Sequence, residues 1–463
     1  MREFELTIDE ALSNGLSPLK VTPFNSQLLQ ECLGFRLGEA GLEKFELKEN
    51  PLPSGIDVTS SWPFPQFITG EAYNFLIVRD SLINHEDIVY SVSDDHLTVT
   101  HIFSIDQLTF GQGTLMEVAD FGEYAFMTNG VIMIYWDTGI NSWQEMITSL
   151  TIPMMKTVCN FKGQAIGGNI VSAWYDCDET FYVWSKIGQI DFTPDRYNEA
   201  GYRRDPYGGT IYHVRRLGDN VVGYSSKGIV LMSPVTAPAA TFGFTELLDI
   251  GLINQGAMDG NIQEQLFLCK DKSLYKISKE GVKIIGYESY MDQLGTSEDI
   301  IISYDHLDKD YYIGNSVKTF LLSSKGLTEV PQHPSAIWNQ DEETYILPAD
   351  ADDYKQTIIT QPFDFGYAGQ KTIFEMETDL LLGDDPEVAV SYYLNPTSYS
   401  TTNYVPLNDQ NIASIIAAGN AFAFHLRYEP TYDNSRLSYI KVRYKMTDLR
   451  GIRGVYAPPP RGQ

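Results

Sequence analysis

Residues 124–136 read Tyr124-Ala-Phe-Met-Thr-Asn-Gly130 and then Val131-Ile-Met-Ile-Tyr-Trp136, a short apolar strand, a polar turn and a second apolar strand. Tyr, Phe and Thr suit the pleated, half-buried surface of a β-sheet. The same order recurs along the chain at 180–192, 220–232, 265–277 and 311–322. This repetition predicts an all-β protein.

The recurring hairpins start 40 to 56 residues apart, which gives the size of the repeating unit. Four strands of five or six residues with their turns need about 40–50 residues, the size of one β-propeller blade. A hairpin cannot bury its apolar faces alone, whereas blades stacked around an axis bury both faces. Residues 70–360 therefore predict a β-propeller of about six blades. The alternatives are an array of β-sandwiches and an irregular β fold.

Residues 1–50 differ from this pattern and predict an extended or helical N-terminal arm. The sequence Thr7-Ile8-Asp9-Glu10 can cap a short helix that runs through Leu12. A second helix is expected after Asn25 or Ser26, with an apolar face made of Leu28, Leu29, Cys32 and Leu33. Because glycines interrupt this face, we expect the arm to pack on its own body or on a neighbouring subunit.

Prolines separate the arm from the repeats. They lie in Pro51-Leu-Pro-Ser-Gly-Ile56 and Trp62-Pro-Phe-Pro-Gln66, which exclude helix and favour extended chain and turns. We therefore place a domain boundary between an arm at 1–50 and a propeller at 51–360.

The chain changes character again after residue 360. Segments 372–378, 387–393, 421–427 and 440–445 alternate apolar and polar residues with period 2, so each has one buried and one solvated face. This spacing predicts a C-terminal β-sandwich at 361–463. Residues 409–419 are expected to form one short helix on it.

The charge balance restricts the functions that the chain can have. The 463 residues include 61 Asp and Glu against 33 Lys and Arg, a formal charge of −28. Since a nucleic-acid binder replaces phosphate counterions with basic side chains, this balance argues against a general nucleic-acid binder. It also disfavours an anionic lipid surface, and no run approaches the roughly 18 apolar residues that span a bilayer. With no secretion signal at the first residues, we expect a soluble protein made in a cytosol.

No motif supports an enzyme. The cysteines Cys32, Cys159, Cys177 and Cys269 are expected to be free and buried, with a Cys159–Cys177 disulfide as the alternative. Aspartic-protease chemistry needs two carboxylates, but Asp137-Thr-Gly139 occurs once and predicts a turn. Asp176-Cys-Asp178 and Asp350-Ala-Asp352-Asp353 predict acidic turns. We expect no catalytic site, no cofactor and no metal.

Three regions are candidate interfaces. On the arm they are Leu28, Leu29 and Leu33. Tyr202, Arg203 and Arg204 belong to an aromatic and basic cluster at 195–216, predicted as a long loop that binds a sugar, a neighbouring subunit or a tail fibre. Residues 425–463 are basic on an otherwise acidic chain, which suits a head-to-tail contact between identical subunits. Their candidates are Arg436, Lys441, Arg443, Arg450 and Arg453.

Both basic regions have a simpler alternative. The cluster at 195–216 can be a surface loop whose arginines pair with nearby Asp. The basic C-terminal region can be a solvated strand face with a loose tail.

The whole layout resembles the tail-nozzle (tail-stabilisation) proteins of short-tailed double-stranded DNA phages. The resemblance rests on the proline-rich stretch 51–66, the strand-turn-Trp unit from Val131 to Trp143, and the closing run from Gln361-Pro-Phe-Asp-Phe365 through Arg436 to Tyr444. The string from Asp137 to Trp143 also resembles the Asp-box turn of sialidase-type propellers, which is structural in that family.

The resemblance implies a structural protein of the virion tail, made in the host cytoplasm. Six copies would form a ring that seals the head-tail channel and becomes part of the DNA ejection conduit. The implied partners are further copies in a homohexamer, the head-to-tail adaptor protein, and a tail fibre, tailspike or needle, with no membrane. Genomic DNA would pass without specific binding, since acidic walls repel phosphate. The rival classes are a propeller carbohydrate-binding protein or glycosidase, and a cellular scaffold propeller.

Overall fold

A computed structural model describes the chain from residue 3 to residue 447, apart from these gaps: 20–22, 40, 54–61, 71–72, 81–85, 111–113, 141, 147, 150, 196, 236–240, 296–298, 341, 352–353, 368, 381–385, 396–397 and 430–435. The chain forms two compact units. Unit 1 is Met1–Leu47, Lys318–Gln332 and Asp350–Gln463, and unit 2 is Lys48–Val317 and His333–Ala349. In chain order, unit 2 therefore lies between segments of unit 1.

Nearly all elements are short strands. Before residue 48 these are β1 (Glu3–Ile8), β2 (Leu29–Leu33), β3 (Phe35–Gly38) and β4 (Gly41–Lys44). Up to residue 145 follow β5 (Gln66–Gly70), β6 (Tyr73–Asp80), β7 (Glu86–Val92), β8 (Val99–Asp106), β9 (Glu117–Asp120), β10 (Tyr124–Thr128), β11 (Met133–Asp137) and β12 (Ser142–Glu145).

The next twelve strands run to residue 286. They are β13 (Met155–Phe161), β14 (Gln164–Ile170), β15 (Phe181–Trp184), β16 (Gly201–Arg204), β17 (Ile211–Leu217), β18 (Asn220–Ser225), β19 (Ile229–Val235), β20 (Thr241–Leu248), β21 (Met258–Gly260), β22 (Glu264–Leu268), β23 (Leu274–Ser278) and β24 (Gly281–Gly286).

The remaining strands are β25 (Ile301–Tyr304), β26 (Tyr311–Gly314), β27 (Thr319–Leu322), β28 (Leu327–Val330), β29 (Ala336–Gln340), β30 (Glu343–Leu347), β31 (Gln356–Thr360), β32 (Lys371–Thr378), β33 (Glu387–Asn395), β34 (Ser398–Thr401), β35 (Val405–Pro406), β36 (Ile412–Gly419), β37 (Ala421–Tyr428), β38 (Arg436–Leu437) and β39 (Ile440–Met446). The helices are short: α1 (Glu10–Asn14), α2 (Gln107–Phe110), α3 (Glu288–Met291) and a 3₁₀ turn at Asp292–Leu294. Within the described ranges, no helix has the length and apolar character needed to cross a membrane.

Unit 2 consists of seven consecutive antiparallel sheet modules. Modules 1 to 5 have four strands each, β5–β8, β9–β12, β13–β16, β17–β20 and β21–β24. Module 6 contributes the hairpin β25–β26 and module 7 the hairpin β29–β30. The first strands lie close together: β13 contacts β9 and β17, β21 contacts β25, and β29 contacts both β25 and β5. These small sheets are typical of propeller-like folds.

Burial is greatest in the second strand of a module and least in the fourth, outer strand. Every residue of β14 is buried, whereas most residues of the outer strands β12, β16 and β24 are exposed or partly exposed. A strand covered on both faces has a nearly continuous apolar sequence, and an outer strand has a polar one. The same burial pattern explains why the sequence shows the second and third strands of the modules most clearly.

Apolar clusters join modules 1 to 5 in sequence and module 7 to module 1. Phe75 of module 1 packs edge-on against Trp136 of module 2, with ring centroids 5.0 Å apart. Further clusters join modules 2 and 3, 3 and 4, and 4 and 5. Module 7 packs on module 1, where Phe67 stacks on Trp338 at 3.9 Å. No single module buries its own faces, so the modules depend on one another.

The all-β prediction is confirmed, and most of the predicted hairpins have both strands. The stretch 124–136 forms β10 and β11, with Tyr124 opposite Asp137. Residues 180–192 are the exception: β15 forms, but 187–192 is not a strand. Its place beside β15 is taken by β16, with Tyr182 opposite Arg203.

Unit 1 contains two main sheets. One has the order β1-β39-β32-β36, and the other runs β27-β28-β2-β31-β37-β33-β34 within unit 1, with β35 also on β33. Phe365 packs on side chains of both, with its ring centroid 5.7 Å from that of Phe422 and 4.6 Å from that of Tyr444. The three strands β3, β4 and β38 form a small separate sheet.

The N-terminal residues are part of unit 1. Helix α1 is confirmed, since the Asp9 side chain accepts a hydrogen bond from Glu10 N and Leu12 is buried. The predicted second helix is wrong: Leu29–Leu33 is strand β2, antiparallel to β31 and parallel to β28. The helix predicted at 409–419 is also wrong, because β36 pairs there with β32.

Candidate functional site

A cavity of about 320 Å³ lies where the first strands of the seven modules meet; we call it the hub cavity. Every module contributes to its wall from its first strand. The lining includes Gln66 and Phe67, Met116 and Glu117, Cys159, His213 and Arg215, Met258 and Asp259, Ile302 and Ser303, and Ala336 and Ile337. A cavity of this size is in the lower range of sites for small molecules.

A buried ionic cluster occupies one side of the hub cavity. Glu117 of β9 faces two residues of β17: its Oε2 forms an ion pair with Arg215 Nη1, and its Oε1 lies 2.8 Å from His213 Nδ1. The side chains of Glu117 and His213 are 2 % and 4 % exposed, and that of Arg215 is 32 % exposed.

The cluster determines the charge of its own carboxylate. Burial alone would raise the pKa of Glu117, but Arg215 and His213 outweigh burial and hold it below its ordinary value. Likewise, burial would lower the pKa of Arg215, and the Glu117 carboxylate raises it instead. Glu117 and Arg215 are therefore a charged pair that links modules 2 and 4.

A second carboxylate in the wall has the opposite shift. Burial raises the pKa of Asp259, although the backbone N–H groups of Gly260 and Tyr304 and the charge of Arg215 partly oppose it. Tyr304 N donates to Asp259 Oδ2 at 2.8 Å, which joins modules 5 and 6. Two carboxylates of one cavity thus have pKa values displaced in opposite directions, a feature common at functional sites.

Hydrogen bonds connect other modules at the same level. Gln66 Nε2 donates to the Met116 carbonyl at 2.9 Å, and Met116 N donates to Gln66 Oε1 at 3.0 Å. Ser335 Oγ donates to the Pro65 carbonyl at 2.6 Å. His213 Nε2 contacts the Gln255 carbonyl. The wall therefore combines ligand-sized space with groups that hold the modules together.

The sequence prediction missed these residues. His213 and Arg215 both fall within the stretch 195–216, which the sequence predicts as a long loop. That loop prediction is wrong, because β16 and β17 fall within it and Arg215 lies on β17. One local signal was present: Glu117 and Asp259 follow apolar residues in Leu115-Met-Glu117 and Ala257-Met-Asp259. A carboxylate within an inner strand needs a partner.

Tyr202, Arg203 and Arg204 lie together on the exposed outer strand β16. Tyr202 is 40 % exposed and lies near Tyr175, with centroids 5.9 Å apart. The Arg203 guanidinium lies over the Phe244 ring at 4.6 Å, and Arg204 Nε donates to Thr180 Oγ1 at 3.1 Å. This edge presents aromatic and basic groups to solvent.

The leucines predicted for an arm interface do not share one exposed face. Leu29 is fully buried in unit 1, and Leu28 and Leu33 are partly buried. Since β2 is a strand between β28 and β31, these side chains belong to the core of unit 1 and its margin.

The basic residues of β39 have acidic partners within the chain. Lys441 Nζ lies 3.2 Å from Glu377 Oε1, and Lys445 Nζ lies 3.0 Å from Glu3 Oε1. Arg443 lies between Glu5 of β1 and Glu375 and Glu377 of β32. We call this row of charges on β39 and its acidic partners on β1 and β32 the sheet ladder. Pairing within the chain agrees with the alternative given above, in which this region is a solvated strand face. Arg436 is exposed on β38, and Arg450 and Arg453 lie outside the described residues.

The remaining motifs are structural where they are described. Asp137 Oδ1 accepts from Gly139 N at 2.9 Å and from Ile140 N at 3.3 Å, which forms the turn between β11 and β12. All four cysteines are free and buried, so the predicted thiols are confirmed and the disulfide is not formed. Asp178 Oδ1 accepts from Thr180 N at 2.9 Å in a turn. Asp352 and Asp353 lie outside the described residues.

Fold and site together define an all-β, propeller-like protein with a polar hub cavity. No family model matches the chain. No curated protein matches it either.

Similar solved structures share little sequence with this chain. PorZ, an essential bacterial surface component of the type-IX secretion system of Porphyromonas gingivalis, is 12 % identical with a TM-score of 0.35, and the match covers 61 % of this chain and 35 % of PorZ. The extracellular domain of BT4673 from B. thetaiotaomicron is 9 % identical with a TM-score of 0.42, over 74 % of this chain and 46 % of that one.

A third similar structure is Hsv2 of Kluyveromyces lactis, 9 % identical with a TM-score of 0.27, over 61 % of this chain and 94 % of Hsv2. The chain thus spans about a third of PorZ and about half of the BT4673 structure. TM-scores this low indicate nothing about the function of this chain, and its propeller-like fold rests on its own strand pairing.

Proposed function

We propose that this chain is a structural protein of the tail of a short-tailed double-stranded DNA phage, a nozzle subunit that assembles with further copies into a ring. The observation that carries the proposal is the layout: seven sheet modules share one cavity, and the chain ends pair with each other in a second β unit. That layout extends the resemblance found in the sequence. The proposed role is structural and needs no catalytic step.

Unit 2 is, in this proposal, a propeller with seven blade positions, one more than the predicted six. Five positions are four-stranded modules, and the hairpins β25–β26 and β29–β30 take the other two. The packing of module 7 on module 1 through Phe67 and Trp338 supports this count, since the first and last blades of a propeller must meet.

The size of the hub cavity restricts where DNA can pass. A cavity of about 320 Å³ is narrower across than the major groove of a DNA duplex, which is about 12 Å wide, so a duplex cannot pass through it. The proposed conduit is therefore enclosed by several copies and not by one propeller. Six copies related by rotation would enclose it through head-to-tail interfaces.

The charge of the chain suits such a conduit. Acidic residues outnumber basic ones by more than two to one in unit 2, and the basic residues of β39 are paired within unit 1. DNA sliding past these surfaces would be repelled at its phosphates and would not adhere. The head-to-tail adaptor and a fibre, tailspike or needle remain the proposed partners.

The decisive experiment is the assembly state of the full-length chain. Light scattering after gel filtration and negative-stain electron microscopy are expected to show rings of six copies, alone or with the adaptor protein. A mobility-shift assay with duplex DNA at low salt is expected to show no binding. A chain that stays monomeric at high concentration and with the adaptor, or that shifts DNA, contradicts the proposal.

A further inference from the structure

The hub cavity has polar groups that the fold does not use. Gln255 Nε2 is buried at the wall, and no described residue accepts its hydrogen bond. Arg215 donates from Nη1 to Glu117 and to the Val214 carbonyl, and none of the described residues accepts from its Nε or Nη2. A buried amide donor without a partner costs free energy that a bound ligand recovers.

The charges around these groups compensate one another. The Glu117 carboxylate is paired with Arg215, and Asp259 is a second acceptor whose carboxyl is favoured in its neutral form by burial. An anionic ligand would meet the Glu117 carboxylate, and a cationic ligand would meet the Arg215 guanidinium. The wall therefore favours a ligand without net charge that both donates and accepts hydrogen bonds.

The remaining wall and the volume restrict the ligand further. The lining also includes the apolar residues Ile302, Ile337 and Met258. About 320 Å³ holds roughly ten water molecules, or one small ring that carries hydroxyl groups. Because the Arg215 side chain is 32 % exposed, the cavity is accessible to solvent at this residue.

We infer that the hub cavity binds a neutral, hydroxyl-rich small molecule of monosaccharide size. Its hydroxyl oxygens accept from Gln255 Nε2 and from the free donors of Arg215, its hydroxyl hydrogens are donated to Asp259, and its carbon face lies on Ile302 and Ile337. This site is independent of the proposed ring, because it lies within unit 2 of a single chain.

The test is saturation-transfer difference NMR on the full-length protein. The probes are glucose, galactose, mannose and N-acetylglucosamine, with glucuronate and glucosamine as their charged counterparts. At least one neutral sugar is expected to give transfer signals and to raise the melting temperature. If no neutral sugar binds, or if a charged counterpart binds more tightly than its neutral parent, the inference is overturned.

Two variants assign the binding to the cavity. Gln255→Leu keeps the side-chain volume and removes the donor, so affinity is expected to fall about fivefold or more. Ile337→Phe fills the cavity and is expected to abolish binding. Gln144→Leu, on the exposed outer strand β12, is the matched control and is expected to bind as the wild type does. Equal binding by the wild type and both cavity variants overturns the assignment.

Discussion

Glu117 and His213 lie on different modules of unit 2, and their side chains meet at 2.8 Å between Oε1 and Nδ1, almost completely removed from solvent. Arg215, two residues further along the same strand, contacts the other oxygen of the carboxylate. Because β9 and β17 lie on either side of β13, the cluster connects two strands that share no backbone hydrogen bonds. The cluster therefore links modules 2 and 4 through side-chain contacts at the hub cavity.

Removing the negative charge of Glu117 is expected to destabilise the protein strongly. In Glu117→Gln, Arg215 and His213 lose their carboxylate in a buried site, and we expect the free energy of unfolding to fall by about 2–4 kcal/mol. The lower end allows for the partial exposure of Arg215. Urea unfolding followed by tryptophan fluorescence measures the change.

The matched control is Glu123→Gln, which changes an exposed Glu in the turn before β10. It is expected to stay within about 0.5 kcal/mol of the wild type. If the two variants were equally stable, the buried cluster would not stabilise the packing of modules 2 and 4.

The sheet ladder of unit 1 is expected to behave differently, because it lies at the surface. Arg443 is 36 % exposed and faces Glu5, Glu375 and Glu377. In Arg443→Gln we expect a small loss of stability at low salt, and the difference from the wild type should shrink as NaCl is raised above about 0.5 M.

Thermal unfolding at low and high salt measures this difference. The control is Lys279→Gln, at an exposed position in the turn between β23 and β24, and its difference from the wild type is expected to be small at both salt concentrations. If the loss of stability in Arg443→Gln stayed constant as salt is raised, the ion pairs of Arg443 would not account for it. Such a result would indicate that the side chain stabilises the protein by packing.

Local sequence was sufficient to predict elements whose partner is the next strand. The hairpin of β10 and β11 needs only the residues 124–137, so its apolar runs and turn identify it. The predicted helix after Asn25 fails for the opposite reason: Leu29 pairs with Thr360, far along the sequence. An apolar run without a local partner fits a helix or a strand equally well.

The strand β36 shows the same limit. Its buried residues Ala413, Ile415 and Ala417 alternate strictly, but Ile416 between them is 80 % exposed, which hides the alternation in the sequence. The hub cluster was equally invisible, since Glu117 and Arg215 become neighbours only when modules 2 and 4 pack around module 3. Pairing across modules sets the site, and no single stretch of sequence contains it.

Acid sensitivity is expected from a buried histidine of unit 1. Burial lowers the pKa of His425 from 6.5 to about 4, and its Nε2 lies 2.8 Å from Ser391 Oγ. Between these pH values the unfolded chain takes up a proton that the folded chain does not. Stability is therefore lost as the pH falls from about 6.5 to about 4, by up to about 3 kcal/mol from this residue.

The measurement is the free energy of unfolding of wild type and His425→Gln across this pH range. The difference between them is expected to narrow as the pH falls, because the variant lacks the proton-linked loss. His101→Gln, at an exposed position on β8, is the control and should follow the wild type in parallel. Parallel curves for His425→Gln as well would show that this imidazole does not report on acid unfolding.

The edge of β16 is expected to mediate ring assembly under the proposed function. Tyr202 is 40 % exposed beside Tyr175, on a strand whose outer side has no partner strand among the described residues. Tyr202→Glu adds a negative charge to an acidic protein at this edge, so we expect fewer rings. Because Tyr202 is exposed, the substitution should lower the free energy of unfolding of the single chain by only about 1 kcal/mol.

Tyr399→Glu, at a 61 % exposed tyrosine of β34, is the matched control. Light scattering and electron microscopy should show rings for the control and mostly monomers for Tyr202→Glu, whereas intact rings in Tyr202→Glu would place the subunit interface on another surface.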